Sequence, residues 1–164
     1  MEKVTQRELE EMLTKAKSLL DTSNIKYGTV TKLSINSRAK SRFGQCRKRN
    51  GLYEIEVSNF ALVDRVKTFN TLVHELLHTV NGCMNHGSGW QNLASRVNRE
   101  HGLNITTRST ASEEQKAEKK KMAKYVIHCT ACDMDGYAFR KSKVVTHTES
   151  FKCKCGGSLK VDAL

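Results

Sequence analysis

The sequence lacks any apolar segment of the length that a membrane-spanning helix requires, which is about 20 residues. Its amino terminus also lacks the apolar run and the small-residue cleavage site of a secretory signal. Apolar residues make up 38% of the 164 positions and charged residues 27%, a balance typical of folded proteins in water. We therefore expect a cytoplasmic protein that has no membrane partner.

Acidic residues are few relative to basic ones. The chain has 17 Asp and Glu against 28 Lys and Arg, which gives a formal net charge of +11. A field of that sign favours polyanions, nucleic acid first among them, although charge can also serve solubility alone. A DNA-associated location inside the cell is compatible with this charge. Because the cytoplasm is reducing, we expect no disulfides among the six cysteines, and closely spaced pairs are candidate metal ligands.

The amino-terminal half carries the signals of an α+β fold. Thr5-Gln6-Arg7-Glu8 is a capping box that precedes apolar residues at helical spacing, so a first amphipathic helix is predicted to end near residues 21–24. Between residues 27 and 57 apolar residues alternate, and Asn50-Gly51 is a strong hairpin signal. These patterns predict a small antiparallel sheet packed against helices.

Two more helices are predicted from apolar residues that recur with a period of 3.6. The first covers residues 66–80, should be buried, and is closed by Gly82. The second includes residues 90–97 and ends at Gly102. Together with the sheet, they would form a domain over residues 1–108.

The composition changes after residue 108. Residues 109–124 contain almost no large apolar side chain, and their acids come early while their lysines come late. That order suits a helix dipole, so we predict a charged, solvated linker helix. Residues 125–164 contain four of the cysteines and are predicted to form a separate, small zinc-ribbon β module.

His74-Glu75-Leu76-Leu77-His78 matches the H-E-x-x-H pattern and lies in a predicted helix, as the metal-binding form of this pattern requires. Side chains at i and i+4 share a helix face with β-carbons about 5–6 Å apart, so His74 and His78 can bind one zinc ion. Glu75 would then act as general base on the water of a metallopeptidase. The alternative makes both histidines ordinary polar residues beside a buried stripe.

Catalytic zinc usually has three protein ligands and one open position, so a third ligand is required. His86 follows the second predicted helix and precedes the third, where the chain can turn back towards the motif. It is the favoured third ligand. Glu100 is the competitor, and Cys83 is weaker because a thiolate would make the metal less electrophilic. We expect His101 to be a surface histidine.

The four cysteines near the carboxyl end have the layout of a structural zinc site. Cys129 and Cys132 form a C-x-x-C pair, and Cys153 and Cys155 follow after 20 intervening residues. Such a site is closed and supplies folding energy without chemistry. Because the second pair is one residue shorter than usual, replacement of one cysteine by His147 or His128 is the alternative.

Two groups of residues are candidate nucleic-acid contacts. The first has no acid within it and comprises Arg38, Lys40, Arg42, Arg47, Lys48 and Arg49. The second combines aromatic and basic side chains, as single-stranded nucleic acid requires, and comprises Tyr137, Phe139, Arg140, Lys141 and Lys143. The other interpretations are a solvated strand face for the first group and a small hairpin core for the two aromatic residues.

These motifs resemble the SprT-like family of zinc peptidases, which includes the Spartan proteases. The resemblance rests on residues 74–78, on His86-Gly87-Ser88-Gly89-Trp90, on Arg42-Phe43-Gly44-Gln45-Cys46, and on the zinc ribbon. It covers nearly the whole chain, and the short Cys153-Lys154-Cys155 pair departs from it. The resemblance implies a zincin-like fold in which His74, His78 and His86 bind zinc and Glu75 is catalytic.

Two functions from different classes follow. The first is a zinc-dependent endopeptidase with one catalytic and one structural zinc, acting on DNA-associated proteins of the DNA–protein crosslink type that Spartan-type relatives cleave. The second is a non-proteolytic nucleic-acid-binding or regulatory zinc-ribbon protein in which the histidine site only supports the fold. Glu75 argues against the second, because a structural histidine site does not require a carboxylate beside its first ligand.

Overall fold

The computed structural model describes residues 2–132 and 134–164. These form two compact units, one that runs up to residue 115 and one that covers residues 116–164. The predicted α+β class is confirmed. The finer division into residues 1–108, 109–124 and 125–164 stays a prediction.

The first unit contains three long helices and one three-stranded sheet. A short 3-10 helix, Asn59–Val63, connects the last strand to the second helix. In chain order, the elements are α1 (Gln6–Thr22), β1 (Val30–Asn36), β2 (Gly44–Arg49), β3 (Leu52–Ser58), α2 (Arg65–Leu77) and α3 (Ser88–His101). A fourth helix, α4 (Glu113–Lys121), crosses the boundary between the two units.

The capping box at the start of α1 is formed as predicted. The Glu8 carboxylate accepts a hydrogen bond from the Thr5 backbone N–H at 2.8 Å, and the Thr5 hydroxyl accepts one from the Glu8 N–H at 3.3 Å. The helix then buries one face, which consists of Leu9, Leu13, Ala16 and Leu20. Its amphipathic character follows from the spacing of these residues.

The sheet has the strand order β1-β3-β2 and is mixed, so the prediction of an antiparallel sheet is wrong in one pairing. β2 and β3 form the predicted antiparallel hairpin, in which Asn50 and Gly51 both have positive φ (49° and 79°), as a type I′ turn requires. β1 pairs parallel with β3 on its other side. Alternation of apolar residues shows which side chains face the core, but it carries no information on the direction of the neighbouring strand.

Helix α2 is shorter than the sequence predicts. It ends at Leu77, after which the Thr79 and Val80 N–H groups bond three residues back, to Leu76 and Leu77, and close the last turn. Most of the helix is buried as predicted, but Val66 is 72% exposed. Val66 lies in the first turn of the helix, and its side chain does not pack into the core although it falls on the predicted apolar stripe.

The core of the first unit lies between the sheet and the helices. Helix α2 packs against α1, α3, β2 and β3, and the largest fully buried side chains include Trp90, Phe60, Leu9 and Leu20. Helix α3 ends at Gly102, whose left-handed conformation (φ 64°) confirms the predicted stop. The elements that carry the motifs are therefore held by the main core.

The second unit contains a three-stranded antiparallel sheet with the order β5-β4-β6. Its elements are β4 (Tyr125–Cys129), β5 (Asp135–Ala138), α5 (Lys143–Thr146), a 3-10 turn (Thr148–Ser150) and β6 (Leu159–Ala163). The cysteine cluster near its sheet is consistent with a zinc ribbon. Within the described residues of both units, no helix has the length and apolar character needed to cross a bilayer.

Candidate active site and second metal centre

Three imidazole rings converge beside the end of helix α2. The Nε2 atoms of His74 and His78 are 3.3 Å apart, those of His78 and His86 are 3.1 Å apart, and those of His74 and His86 are 2.9 Å apart. His74 lies in the last turn of α2, His78 caps that helix, and His86 directly precedes Gly87, the N-cap of α3. The structure therefore brings together the three histidines that the sequence singled out.

Hydrogen bonds to backbone carbonyls orient two of these rings. Nδ1 of His78 donates to the Cys83 carbonyl at 2.7 Å, and Nδ1 of His74 donates to the Thr106 carbonyl at 3.1 Å. Because a carbonyl can only accept, the hydrogen of each ring lies on Nδ1 and the Nε2 lone pair faces the other histidines. Burial, followed by the neighbouring imidazoles, lowers the pKa of His74 to about 3, so this ring is neutral.

This geometry fits one metal ion. Three nitrogens about 2.0–2.1 Å from a tetrahedral zinc ion lie about 3.3 Å from one another, close to the separations of the three Nε2 atoms. Neutral rings with convergent lone pairs repel one another unless a cation lies between them. The trio of His74, His78 and His86 can therefore hold a metal ion.

Trp90 forms an aromatic wall behind the histidines. Its ring stacks on His78 at a centroid distance of 5.4 Å and meets His74 and His86 edge-on at 4.6 and 4.7 Å. Trp90 is 1% exposed and belongs to the first turn of α3. The sequence predicted Trp90 as a helix residue and placed it in a segment that carries the family resemblance, but it gave Trp90 no role, because a contact with three separate rings depends on the tertiary structure.

Glu75 is buried beside the trio, on the side of β2. The Cys46 backbone N–H donates to its carboxylate, and Arg42 lies near enough to favour the charged form. Burial is the larger effect and raises the pKa of Glu75 to about 8. A Cβ on Gly44 would lie 2.7 Å from Glu75 Oε1 and 2.8 Å from Thr71 Cγ2, so only glycine permits this approach. The structure thus explains the Phe43-Gly44-Gln45-Cys46 segment, which approaches Glu75 closely and hydrogen-bonds to it. Hydrophobic periodicity did not reveal this contact.

An open cleft of about 400 Å³ leads to Glu75 and His74. Residues 41–44, residues 107–109 and Thr71 also line it. Such a cleft can admit a chain from solvent to a carboxylate that is otherwise buried.

The competing third ligands lie elsewhere. The Glu100 carboxylate accepts hydrogen bonds from the Ser23 hydroxyl at 2.7 Å and from Arg96 at 2.8 Å. His101 is only partly exposed and its Nε2 also contacts the Ser23 hydroxyl, at 2.7 Å, so it is not the free surface histidine that we expected. Cys83 is buried, and its carbonyl rather than its thiol serves the site. Among the described residues, only His86 completes the cluster.

The four cysteines of the second unit also converge. Cys129 and Cys155 have sulfur atoms 3.5 Å apart, those of Cys132 and Cys153 are 3.6 Å apart, and all four lie within 4.8 Å of one another. Disulfide bonds are far shorter, so the thiols are free. Sulfur ligands about 2.3 Å from a tetrahedral zinc ion lie about 3.8 Å apart, so this group can also hold a metal ion.

The short C-x-C pair is accommodated by two glycines. Gly156 has a φ of 88°, and a Cβ on Gly157 would lie 2.8 Å from the Cys129 sulfur and 2.7 Å from Ala131 Cβ. The histidine alternatives point to carboxylates instead. His128 contacts Asp135 and Asp162 with its two ring nitrogens, and Nδ1 of His147 lies 3.8 Å from Glu149.

The basic run near the hairpin is partly neutralised. Arg42 and Arg47 both pair with Glu56 on β3, at 3.6 and 3.2 Å. The Lys40 ammonium bonds to the Ser37 carbonyl, Lys48 lies over the Tyr53 ring at 5.5 Å, and Arg38 and Arg49 are exposed. The run itself contains no acid, so its sequence did not show that Glu56, on the neighbouring strand, pairs with two of its residues.

The second group of candidate contacts is more open. Tyr137 and Phe139 are half-buried, and the Lys120 ammonium lies 5.4 Å from the centre of the Tyr137 ring. Arg140, Lys141 and Lys143 are exposed. A role of either group in binding nucleic acid stays a prediction.

Comparison with known protein families agrees with the geometry of the first unit. A family model described as the SprT-like family matches residues 9–109, a segment that contains the three histidines, Glu75 and the cleft. A comparison with curated proteins finds no match. Because the matched segment is more than half of the chain, the protein belongs to the SprT-like family.

Proposed function

We propose that this protein is a zinc-dependent endopeptidase. SprT-like membership suggests a metalloprotease-like function, and one observation supports the finer assignment. The Nε2 atoms of His74, His78 and His86 lie within 3.3 Å of one another, and a carboxylate adjoins them in an open cleft. A structural histidine site has no need of either the carboxylate or the cleft.

His74, His78 and His86 would hold the catalytic zinc, since imidazole nitrogens suit this ion. When bound, zinc supplies Lewis-acid polarisation of the scissile carbonyl and of a water molecule. The Cys83 and Thr106 carbonyls keep two of the rings in the required tautomer.

Glu75 is the proposed general base. It would take a proton from the attacking water and pass it to the leaving amine. Burial raises the pKa of Glu75, while the Cys46 N–H, Arg42 and any cation held by the histidines favour its charged, proton-accepting form. The close approach of β2 at Gly44 holds this carboxylate in place.

The four cysteines would hold a structural zinc that stabilises the second unit. A set of four sulfur ligands leaves no open position, so this centre would contribute folding energy and no catalysis. The proposed cofactors are therefore two zinc ions, one at the histidines and one at the cysteines.

We propose DNA-associated proteins as substrates, including proteins crosslinked to DNA. The net charge of +11 supports this, because a basic protein concentrates on DNA and on what is bound there. The exposed Arg140, Lys141 and Lys143 are candidate contacts for a single strand. The proposed location is inside the cell, in association with DNA.

The catalytic assignment is tested by the Glu75→Gln chain. Purified wild type and variant are incubated with a DNA-binding protein, and cleavage is followed by gel electrophoresis and mass spectrometry. The variant should keep two zinc ions per chain by elemental analysis and lose cleavage by about a thousandfold or more. A fully active Glu75→Gln chain would remove Glu75 from the mechanism.

The substrate assignment is tested by repeating the assay with and without single-stranded DNA. Cleavage that depends on Glu75 and increases with DNA supports the proposal. Tight DNA binding by a wild-type chain that cuts nothing supports the alternative, a nucleic-acid-binding protein with a structural histidine site. Affinity that stays constant as salt is raised would argue against phosphate contacts.

A further inference from the structure

Beside the cleft that reaches Glu75 lies a second cavity of about 370 Å³. The two cavities have four lining residues in common, namely Phe43, Thr71, Arg108 and Ser109. They are therefore adjoining parts of one groove. A peptide whose scissile bond lies at Glu75 would place a neighbouring side chain in the second part.

The groove is poor in negative charge. Among the described residues that line its two parts, Glu75 is the only acid, and it lies in the first part. The cations are Arg42, Lys67 and Arg108. Arg42 pairs with Glu56 at 3.6 Å, and the Lys67 ammonium donates to the Thr110 carbonyl at 2.6 Å.

The guanidinium group of Arg108 is different. Within residues 2–132 and 134–164 it has no hydrogen bond, ion pair or aromatic contact, and it is exposed. It lines both parts of the groove. A free guanidinium offers a fork of N–H donors that matches a carboxylate.

The backbone on either side of Arg108 is held firmly. Two hydrogen bonds, of 2.8 and 2.9 Å, join the Asn98 side-chain amide to the backbone of Ile105. The Thr106 carbonyl accepts from His74, and the Thr106 hydroxyl donates to the Arg108 carbonyl at 3.1 Å. The contact of Lys67 with Thr110 fixes the far side. These contacts hold Arg108 at the cleft wall and link its position to that of a candidate zinc ligand.

We infer that Arg108 binds an acidic side chain of the peptide substrate at a residue flanking the scissile bond. The inference rests on the proposed peptidase function and names a preference that this function alone does not require. Arg108 is then a specificity-determining residue. DNA phosphate is the other anion that Arg108 could bind. A groove that reaches the buried Glu75 suits a peptide side chain better than the sugar-phosphate backbone of a DNA strand.

Matched peptides test the inference with the full chain loaded with zinc. A cleavage site is first mapped in a DNA-binding protein by mass spectrometry, and peptides are made with Glu, Gln or Lys at each residue flanking it. At one of these positions, wild type should cleave the Glu peptide with a kcat/KM about tenfold above that for Gln. The Arg108→Glu chain should lose this preference and favour Lys, whereas Arg108→Lys should keep part of it.

Arg99→Glu is the matched control. It makes the same change in charge at an exposed position on α3 that lines neither part of the groove, and it should keep the wild-type preference. A preference that changes equally in both variants would show a general charge effect and overturn the inference. Loss of all cleavage in a folded Arg108→Glu chain, with the Lys peptide included, would assign Arg108 to the reaction instead and also overturn it.

A binding measurement separates this inference from the proposed function. Labelled peptides that tile the sequence of the DNA-binding protein, each made with Glu and with Gln at its central position so that no mapped cleavage site is needed, are titrated with the Glu75→Gln chain, and affinity is read from fluorescence anisotropy. Tenfold tighter binding of the Glu peptide supports the subsite even if wild type cuts nothing, in which case only the peptidase proposal fails. Equal binding of both peptides overturns the inference. If Arg108→Glu then also loses affinity for single-stranded DNA, Arg108 is assigned to DNA phosphate instead.

Discussion

The backbone carbonyl of Cys83 accepts a hydrogen bond from Nδ1 of His78 at 2.7 Å. Cys83 lies in the turn that follows α2, where its own N–H bonds to the Val80 carbonyl at 3.0 Å. The same turn leads the chain to His86. One short segment therefore orients the second histidine of the motif and delivers the third, which explains why a helix end, rather than a helix centre, carries the site.

The single tryptophan should report on the histidine site. Trp90 has its ring centre within 5.4 Å of all three imidazole centres, so paramagnetic Co²⁺ bound there should quench most of its fluorescence. His86 is exposed, so His86→Ala should leave the fold intact and abolish quenching at low Co²⁺. His147→Ala, an exposed histidine outside the cluster, is the control. Equal quenching in the two variants would contradict the site.

Gly44→Ala should impair Glu75 without removing a ligand. The new methyl group would lie 2.7 Å from Glu75 Oε1, so either β2 or the carboxylate must move. We expect a loss of about 1–3 kcal/mol in the free energy of unfolding, with cleavage reduced and metal content unchanged. Gly89→Ala is a matched control, because its Cβ would meet only the Cys83 sulfur at 3.7 Å. Denaturant melts, peptide cleavage and elemental analysis check this, and a fully active Gly44→Ala chain would speak against the close approach.

Gly157→Ala should disrupt the cysteine site. Its methyl group would lie 2.7 Å from Ala131 Cβ and 2.8 Å from the Cys129 sulfur, where the four thiols converge. Elemental analysis should find one zinc ion per chain instead of two, while Gly136→Ala, whose Cβ would lie 3.7 Å from Ile127 Cβ, keeps both. A chelator that strips the cysteine site should also abolish the ordered amide spectrum of residues 116–164. Retention of two zinc ions by Gly157→Ala would be the contrary result.

The capping box makes the free energy of unfolding depend on pH in the acidic range. The Thr5 backbone N–H, followed by Arg65, lowers the pKa of Glu8 from 4.5 to about 2. A lowered folded-state pKa means that this stabilisation is complete above pH 4.5 and is lost as the pH falls towards 2. Glu8→Gln should thus be less stable than wild type at pH 7, and the difference should vanish near pH 2. Denaturant melts across this range measure it, and Glu11→Gln, which removes an exposed pair with Arg7, should change little at any pH.

Local signals predicted much of the first unit. The Thr5–Glu8 box, the Asn50-Gly51 hairpin and the Gly102 stop each depend on the conformation of one or two residues, and all three are present. The convergence of three histidines also followed from local rules, because i and i+4 spacing and a helix break suffice to suggest it.

Features that depend on distant partners were not predictable in the same way. The parallel pairing of β1 with β3 joins strands separated by the whole of β2. The Cys46 N–H that serves Glu75, and the Glu56 carboxylate that pairs with Arg42 and Arg47, come from other elements. A single sequence does not specify such neighbours, since its periodicity describes only which face of an element is apolar.

The side chain of Gln115 affects how this protein can be shortened. Gln115 is fully buried, its amide donates to the Ala61 carbonyl at 2.9 Å, and it accepts from the Ser112 N–H at 3.1 Å. A chain that ends at residue 108, where the apolar pattern of the first unit stops, would uncover the 3-10 helix that contains Ala61. The Ala61 carbonyl would then lose the hydrogen bond from Gln115. A truncated form intended for expression of the first unit alone should therefore retain residues 109–115.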